Sequence, residues 1–312
     1  METWLIVVII VLSILIYFLI SYQIYKKLIL IDPKKNYTVV NQADAFFAPS
    51  WQWFQETPKE NVHIRAYDGT RLSATFIPSI DKNSDLLAIV THGYHANSTD
   101  MVLIAKMYSD LGFKVLLPDQ RGHGSSSGTF TSFGIYEKYD MRQWINYCLR
   151  IYGSKDRILL HGVSMGAATI LLASSMNMPE NCKLVVADSA YTTFRRVLFH
   201  TMKPKLLVLF LPGVDLFTYW YHRFLLSKAN VVKAVRHSTF PTIFIHSDHD
   251  KTTPPYMMND LIKAMKKART ADYLVKDAPH GEGFVVDKIG LEKFVFDHLV
   301  EYFQLKRPKP KK

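Results

Sequence analysis

Cysteine is scarce: the 312-residue chain carries two, Cys148 and Cys182, in unrelated contexts. With no C-x-x-C pair and no zinc-type spacing, the sequence speaks against a disulfide scaffold and against a zinc module. Glycine and proline are also few, at 14 each, which excludes a collagen-like or Pro/Gly-rich filament. Charged residues make up 21% against 48% hydrophobic and 13% aromatic, so a disordered chain is excluded as well. A chain this long can bury a core without covalent staples. Acidic residues are outnumbered, 27 to 38, for a net charge of +11. Five of those cations, however, crowd into the end of the chain: Lys306, Arg307, Lys309, Lys311 and Lys312. The excess therefore reads as a basic tail over 304–312, drawn to water or to anionic headgroups. No nucleic-acid motif accompanies it, and no nucleic-acid partner is expected.

Charge is missing altogether from Trp4 to Tyr25, a run of 22 residues. As a helix rising ~1.5 Å per residue it would cover about 33 Å, enough for a hydrocarbon core of about 30 Å. Trp4, Tyr22 and Tyr25 sit near its ends, where aromatic side chains favour the membrane interface. The start carries Glu2 and no Lys or Arg, and no small-x-small site follows, so a cleaved signal peptide fits poorly. Residues 1–30 read as a single-pass anchor in the cell membrane. Lys26, Lys27, Lys34 and Lys35 follow it, which by charge bias puts the remainder in the cytoplasm. Residues 31–60 read as a juxtamembrane connector whose aromatics, Phe46, Phe47, Trp51, Trp53 and Phe54, pack on the domain or at headgroup level.

From residue 61 short β-rich runs alternate with helical patterns. Val62–Ala66 and Leu72–Ile77 flank Tyr67-Asp68-Gly69-Thr70, a hairpin signal. Six further runs read as strands: Leu86–Thr91, Lys114–Leu117, Arg157–His161, Leu184–Ala187, Thr242–His246 and Ala271–Val275. Most are continuously apolar, as parallel strands covered on both faces are. Helices are expected over Thr99–Leu111, Ile135–Ile151, Met165–Met176, Tyr256–Ala268 and Lys288–Phe303. The alternation predicts an α/β fold, a doubly wound, mostly parallel sheet opened by an antiparallel hairpin. Residues 189–241 interrupt the rhythm with apolar stretches such as Leu206–Leu211 and Leu216–Tyr221. A loop this long reads as a helical cap over about 190–240, expected to line an apolar substrate pocket.

Gly162-Val163-Ser164-Met165-Gly166 lies between an apolar strand and a helix start. In that context a G-x-S-x-G is a nucleophile elbow: Ser164 sits on a sharp turn with its hydroxyl raised at the strand's C-terminal end. A serine needs a base, and the base an orienting acid, in the chain order Ser, Asp or Glu, His. The base is His280, in the loop after the last strand; His298 falls inside the final helix. For the acid, Asp248 and Asp250 both follow the strand Thr242–His246, and Asp188 follows an earlier one. The residue after the nucleophile, Met165, would offer a backbone N–H to an oxyanion.

Four segments together resemble the α/β-hydrolase superfamily, in the branch of serine aminopeptidases, monoacylglycerol lipases and small membrane-anchored bacterial hydrolases. They are His92-Gly93-Tyr94, Pro118 through Ser126, the Gly162–Gly166 elbow, and His246-Ser247-Asp248-His249-Asp250 followed by Pro254, spread across 61–303. The resemblance implies that Asp250 is the triad acid and that Tyr94 supplies the second oxyanion N–H. It also implies that His92 and His123 are structural. Ser247 and Thr253 depart from the glycine and valine usual in that motif. The His246–Asp250 cluster could suggest a metal, but an acid role for Asp250 explains it more economically; neither metal nor cofactor is expected. The implied activity is membrane-anchored hydrolysis of carboxylic esters or thioesters of apolar, small-molecule or lipid-like acyl substrates. The alternatives are an aminopeptidase-like serine peptidase and a non-catalytic tethered binding protein.

Overall fold

A computed structural model describes residues 2–32, 35, 37, 38 and 44–305; Lys34 and the cations of the basic tail fall outside the described residues. The strands are β1 (Glu60–Arg65), β2 (Arg71–Ile77), β3 (Leu86–Thr91), β4 (Lys114–Pro118), β5 (Arg157–Val163), β6 (Cys182–Asp188), β7 (Thr242–Ser247) and β8 (Thr270–Val275). They form one sheet in the order β1-β2-β4-β3-β5-β6-β7-β8. β2 pairs antiparallel with both neighbours, and the other pairings are parallel. The β1–β2 turn closes on Gly69, whose φ of +85° suits the left-handed region.

Helices run in the order α1 (Glu2–Ile29), α2 (Ala48–Glu56), α3 (Val102–Asp110), α4 (Glu137–Ile151), α5 (Met165–Ser174), α6 (Phe194–Thr201), α7 (Leu211–His222), α8 (Val231–Val235), α9 (Tyr256–Ala264), α10 (Gly283–Val286) and α11 (Lys288–Phe303). Several ends differ from the sequence reading. The third helix begins as a 3₁₀ turn at Ser98–Met101, capped by Asn97 and Asp100. α9 stops at Ala264 rather than Ala268, because the buried Met265 leaves helical geometry with ψ of 67°.

Strand residues alternate between two cores, as the pleat dictates. In β3, Leu87 and Ile89 join the core formed with α4, α5, α8 and α9. Ala88 and Val90 face α3 and α11 on the opposite side. The connector contributes to this second core: Phe54 is buried in it, and Phe46, Phe47, Trp51 and Trp53 pack against it. Helix therefore covers both faces and leaves the C-terminal ends of the parallel strands open for a site.

The N-terminal helix corrects one expectation. Read from the sequence as a single-pass anchor over 1–30, it is free of the domain only in its first half. Ser21, Tyr25 and Ile29 are buried. Tyr25 Oη lies 2.7 Å from His222 Nε2, Thr131 N–H donates to Ile29 O at 2.9 Å, and Ile31 N–H donates to Thr129 O at 2.8 Å. The last two turns of α1 are thus part of the domain core. Deleting residues 1–30 should destabilise the domain by about 4 kcal/mol, from the loss of Tyr25 and Ile29 burial. Deleting 1–16 should cost little. Thermal melts of the two truncations against the full chain separate these outcomes; equal melting temperatures would contradict the docking of α1.

Candidate active site

Ser164 stands between β5 and α5 with φ 55° and ψ −112°, a strained conformation for a non-glycine residue. The flanking glycines make it possible. A Cβ on Gly162 would overlap the carbonyl carbon of Gly166, and one on Gly166 would overlap the carbonyl oxygens of Thr91 and His92. Ser164 N–H donates to Asp188 O at 2.8 Å, which pins the turn to the neighbouring strand end. His280 follows β8, and Asp250 follows β7.

These ends converge. Ser164 Oγ lies 2.8 Å from His280 Nε2, and His280 Nδ1 lies 2.6 Å from Asp250 Oδ2. Of the three acid candidates, Asp250 is the one that touches His280. Asp248 N–H donates to Val275 O, and its half-buried carboxylate lies near His249 and Asp277. Asp188 is buried with Oδ1 accepting the Ser189 hydroxyl, and burial pushes its carboxyl up to about 6. The four-residue cluster of His246, Asp248, His249 and Asp250 divides accordingly. His246 and Asp250 are buried, with Asp250 on His280, and the exposed His249 and Asp277 lie beside the half-buried Asp248.

Asp250 is fixed from several sides. Its Oδ1 accepts Thr252 N–H and Thr253 N–H, both at 2.8 Å, and its Oδ2 accepts the Thr253 hydroxyl at 2.7 Å. His246 Nε2 donates to Thr253 O at 2.5 Å and lies 3.4 Å from Asp250 Oδ2. Burial alone would raise the Asp250 carboxyl; contacts with His246 and His280 and the Thr253 N–H outweigh it and hold it well below the usual carboxylate range. Its contribution to stability is therefore complete above that range and is lost only as pH falls below it. Thr253 was visible in the sequence only as a departure from the motif. In the structure that departure adds a hydroxyl donor to the acid, 3.2 Å from His280 Nδ1.

Tyr94 and Met165, the expected oxyanion donors, both border the nucleophile's turn. Met165 N–H opens α5, where a helix leaves its first amides unpaired. Among the described residues neither Tyr94 N–H nor Met165 N–H has a hydrogen-bond acceptor. A Cβ on Gly93 would lie 3.4 Å from Ser164 Cβ, which puts this loop directly beside Ser164. His92 Nδ1–H donates to Gly93 O at 2.7 Å and its Nε2 accepts Gln120 N–H at 2.9 Å. His123 Nε2 accepts His95 N–H at 3.2 Å. Burial pulls both histidines down to about 4, so they brace the loop as neutral rings. Tyr94 Oη donates to Leu28 O at 3.1 Å, joining this loop to α1, a link the sequence did not signal.

A cavity of about 410 Å³ opens in front of Ser164 and His280. Its apolar wall comes from Phe47, Met101, Leu103, Ile104, Phe284 and Val285, with the carboxylates of Asp44 and Glu282 also on its lining. This corrects the expectation for the cap. Residues 190–240 are helical, but none of them lines this cavity. α7 packs on α1 instead, through Gly213 against Ser21 and Phe217 against Tyr22.

The chain has the α/β-hydrolase fold. A family model described as alpha/beta hydrolase fold matches residues 89–236. The esterase Pf2001 of Pyrococcus furiosus superposes with a TM-score of 0.68 at 22% identity, covering 86% of this chain and 99% of that one. In sequence the chain is similar to the uncharacterized protein YqkD of Bacillus subtilis (strain 168), 26% identical over 68% of this chain and 70% of that one. It is also similar to the uncharacterized membrane protein YNL320W of Saccharomyces cerevisiae, 22% identical over 78% of this chain and 80% of that one.

Proposed function

We propose that this α/β hydrolase is a membrane-anchored serine hydrolase that cleaves carboxylic ester or thioester bonds of apolar acyl substrates. The observation that carries the reading is the hydrogen-bonded line Ser164–His280–Asp250 at the edge of a largely apolar cavity. His280 Nε2 takes the Ser164 proton as Oγ attacks the acyl carbon. Asp250 holds the imidazole with Nδ1 protonated and stabilises its cation. The Tyr94 and Met165 amides receive the oxyanion. His280 then protonates the leaving alkoxide or thiolate. Water, deprotonated by the same histidine, releases the acid from the acyl-enzyme. The anchor reading rests on the uncharged run Trp4–Tyr25 of α1 and on the resemblance to a protein named for a membrane.

A fluorophosphonate probe tests the chemistry: folded wild type should label on Ser164, and a folded, unlabelled wild type would sink the reading in favour of a tethered binding protein. A p-nitrophenyl ester series tests the cavity. Each CH₂ removed from water contributes about 0.8 kcal/mol, so kcat/KM should rise about fourfold per methylene until the cavity is full. A flat profile from acetyl to octanoyl would count against an acyl pocket.

An aminopeptidase reading has one observation in its favour: the exposed carboxylates of Asp44 and Glu282 border the cavity, where they could hold a substrate's amine. Faster turnover of aminoacyl p-nitroanilides than of acyl esters, lost in Glu282→Gln, would favour it.

A further inference from the structure

The outer surface of the cap is unusual for a face turned to water. Leu206, Leu209, Leu216, Tyr219, Trp220 and Tyr221 are all exposed, Leu209 at 64% and Trp220 at 69%. Leu209, Leu216 and Trp220 follow helical spacing, with Pro212 between them, and form one stripe along the 3₁₀ turn 205–210 and α7. Between Lys205 and Arg223 the single acid or base other than His222 is Asp215. It turns inward to accept the N–H groups of Leu226 and Ser227. His222 is likewise turned inward, against Tyr25. Cations gather at the borders: Lys203 and Lys205 on one side, Arg223 and Lys228 on the other, with Lys26 and Lys27 on α1.

This stripe is continuous with the apolar surface of α1. Tyr17 stacks on Phe210 at 5.1 Å, Phe18 meets Phe217 edge-on, and Gly213 N–H donates to Tyr17 Oη at 3.1 Å. Gly213 also lets α7 come directly against Ser21, the small-on-small contact by which helices approach closely in lipid.

Length decides where the bilayer must lie. The stretch of α1 that is clear of the domain, Thr3–Ile16, has 14 residues, or about 21 Å of helix. A hydrocarbon core is about 30 Å thick, which leaves about 9 Å uncovered. Interfacial helices sink ~5–10 Å into the headgroup–acyl boundary. The shortfall disappears when the residues packed against Tyr17–Ser21 enter the bilayer to that depth.

We infer that the cap, residues 205–221, is a second membrane-contacting element: it lies in the headgroup–acyl boundary beside α1, with its leucine and aromatic stripe in lipid and its bordering lysines and arginines among the phosphates. The hydrolase domain then rests on the bilayer and does not hang from it. This rests on the membrane-anchor reading of α1, and the test separates the two. Single cysteines carrying an environment-sensitive fluorophore are placed at Leu12, Leu209, Trp220 and Ile80 in the full chain; the native Cys148 and Cys182 are buried. Ile80, 91% exposed in the β2–β3 loop, is the aqueous reference. The labelled proteins are reconstituted in mixed phosphatidylcholine–phosphatidylglycerol vesicles, with spin labels on the acyl chains as quenchers. The expected result is blue-shifted, quenched emission at positions 12, 209 and 220 and none at 80. Quenching at 12 with 209 and 220 indistinguishable from 80 would overturn the docking and leave the anchor standing. No quenching at 12 would overturn the anchor and the docking with it. The 209 and 220 side chains are exposed, and a thermal melt of each labelled protein verifies that the fold is kept.

Discussion

Ser164→Ala should keep the fold and lose acyl transfer, with kcat falling by about 10⁶ as in well-studied triads. The side-chain hydroxyl's hydrogen bond is to His280, a half-buried ring at the cavity edge, so its removal leaves no buried polar group stranded. The strain of the turn is held by Gly162 and Gly166 and by the backbone bond to Asp188, and alanine keeps all three. Burst kinetics with a p-nitrophenyl ester read the loss directly. Substantial residual turnover in a folded variant would require a different nucleophile.

Asp250→Asn should lower kcat by about 10⁴, while Asp248→Asn should stay near wild type. Two donors less than 3 Å from one oxygen explain the contrast: Asp250 Oδ2 receives both the His280 Nδ1 proton and the Thr253 hydroxyl. An amide nitrogen in that place would present hydrogens to both donors and turn the imidazole to the wrong tautomer. Asp248 has no hydrogen bond to His280, and its half-buried carboxylate lies near His249 and Asp277 instead. Steady-state kinetics on the two folded variants settle the assignment, and the reverse order would move the acid to Asp248.

What could be read from the sequence was what lies close together in the chain. The elbow is local: five consecutive residues with a strand before and a helix after make the turn, and Ser164 follows. His280 was legible because a loop histidine after the last strand is nearly alone there. The choice between Asp248 and Asp250 was not open to spacing, since both lie just past β7, two residues apart; a tight turn that brings only Asp250 onto His280 separates them. The cavity was harder still. Phe47, Ile104 and Phe284 come from three distant parts of the chain, and only the topology brings them to one wall. The cap lies where the sequence put it, but what it packs against was misread for a related reason. An apolar helical stretch has the same pattern whether it faces a substrate, another helix or lipid, and the partner, α1, is almost two hundred residues away. The inner end of α1 was hidden by its own composition, because membrane-facing and core-facing residues are both hydrophobic.

The bond from Tyr94 to Leu28 has a mechanical meaning. A domain on a flexible linker of n residues roams over roughly 5–6 Å × √n and presents its site at every angle. Here the chain has no slack at that point: Ile29 is in the core, Ile31 is tied to Thr129, and the loop carrying Tyr94 is hydrogen-bonded to the last turn of the helix. In a chain anchored as proposed, the nucleophile would be held at one height and one tilt relative to the bilayer. Such an enzyme would work as a ruler, choosing among chemically equivalent acyl bonds by how far each stands from the membrane plane.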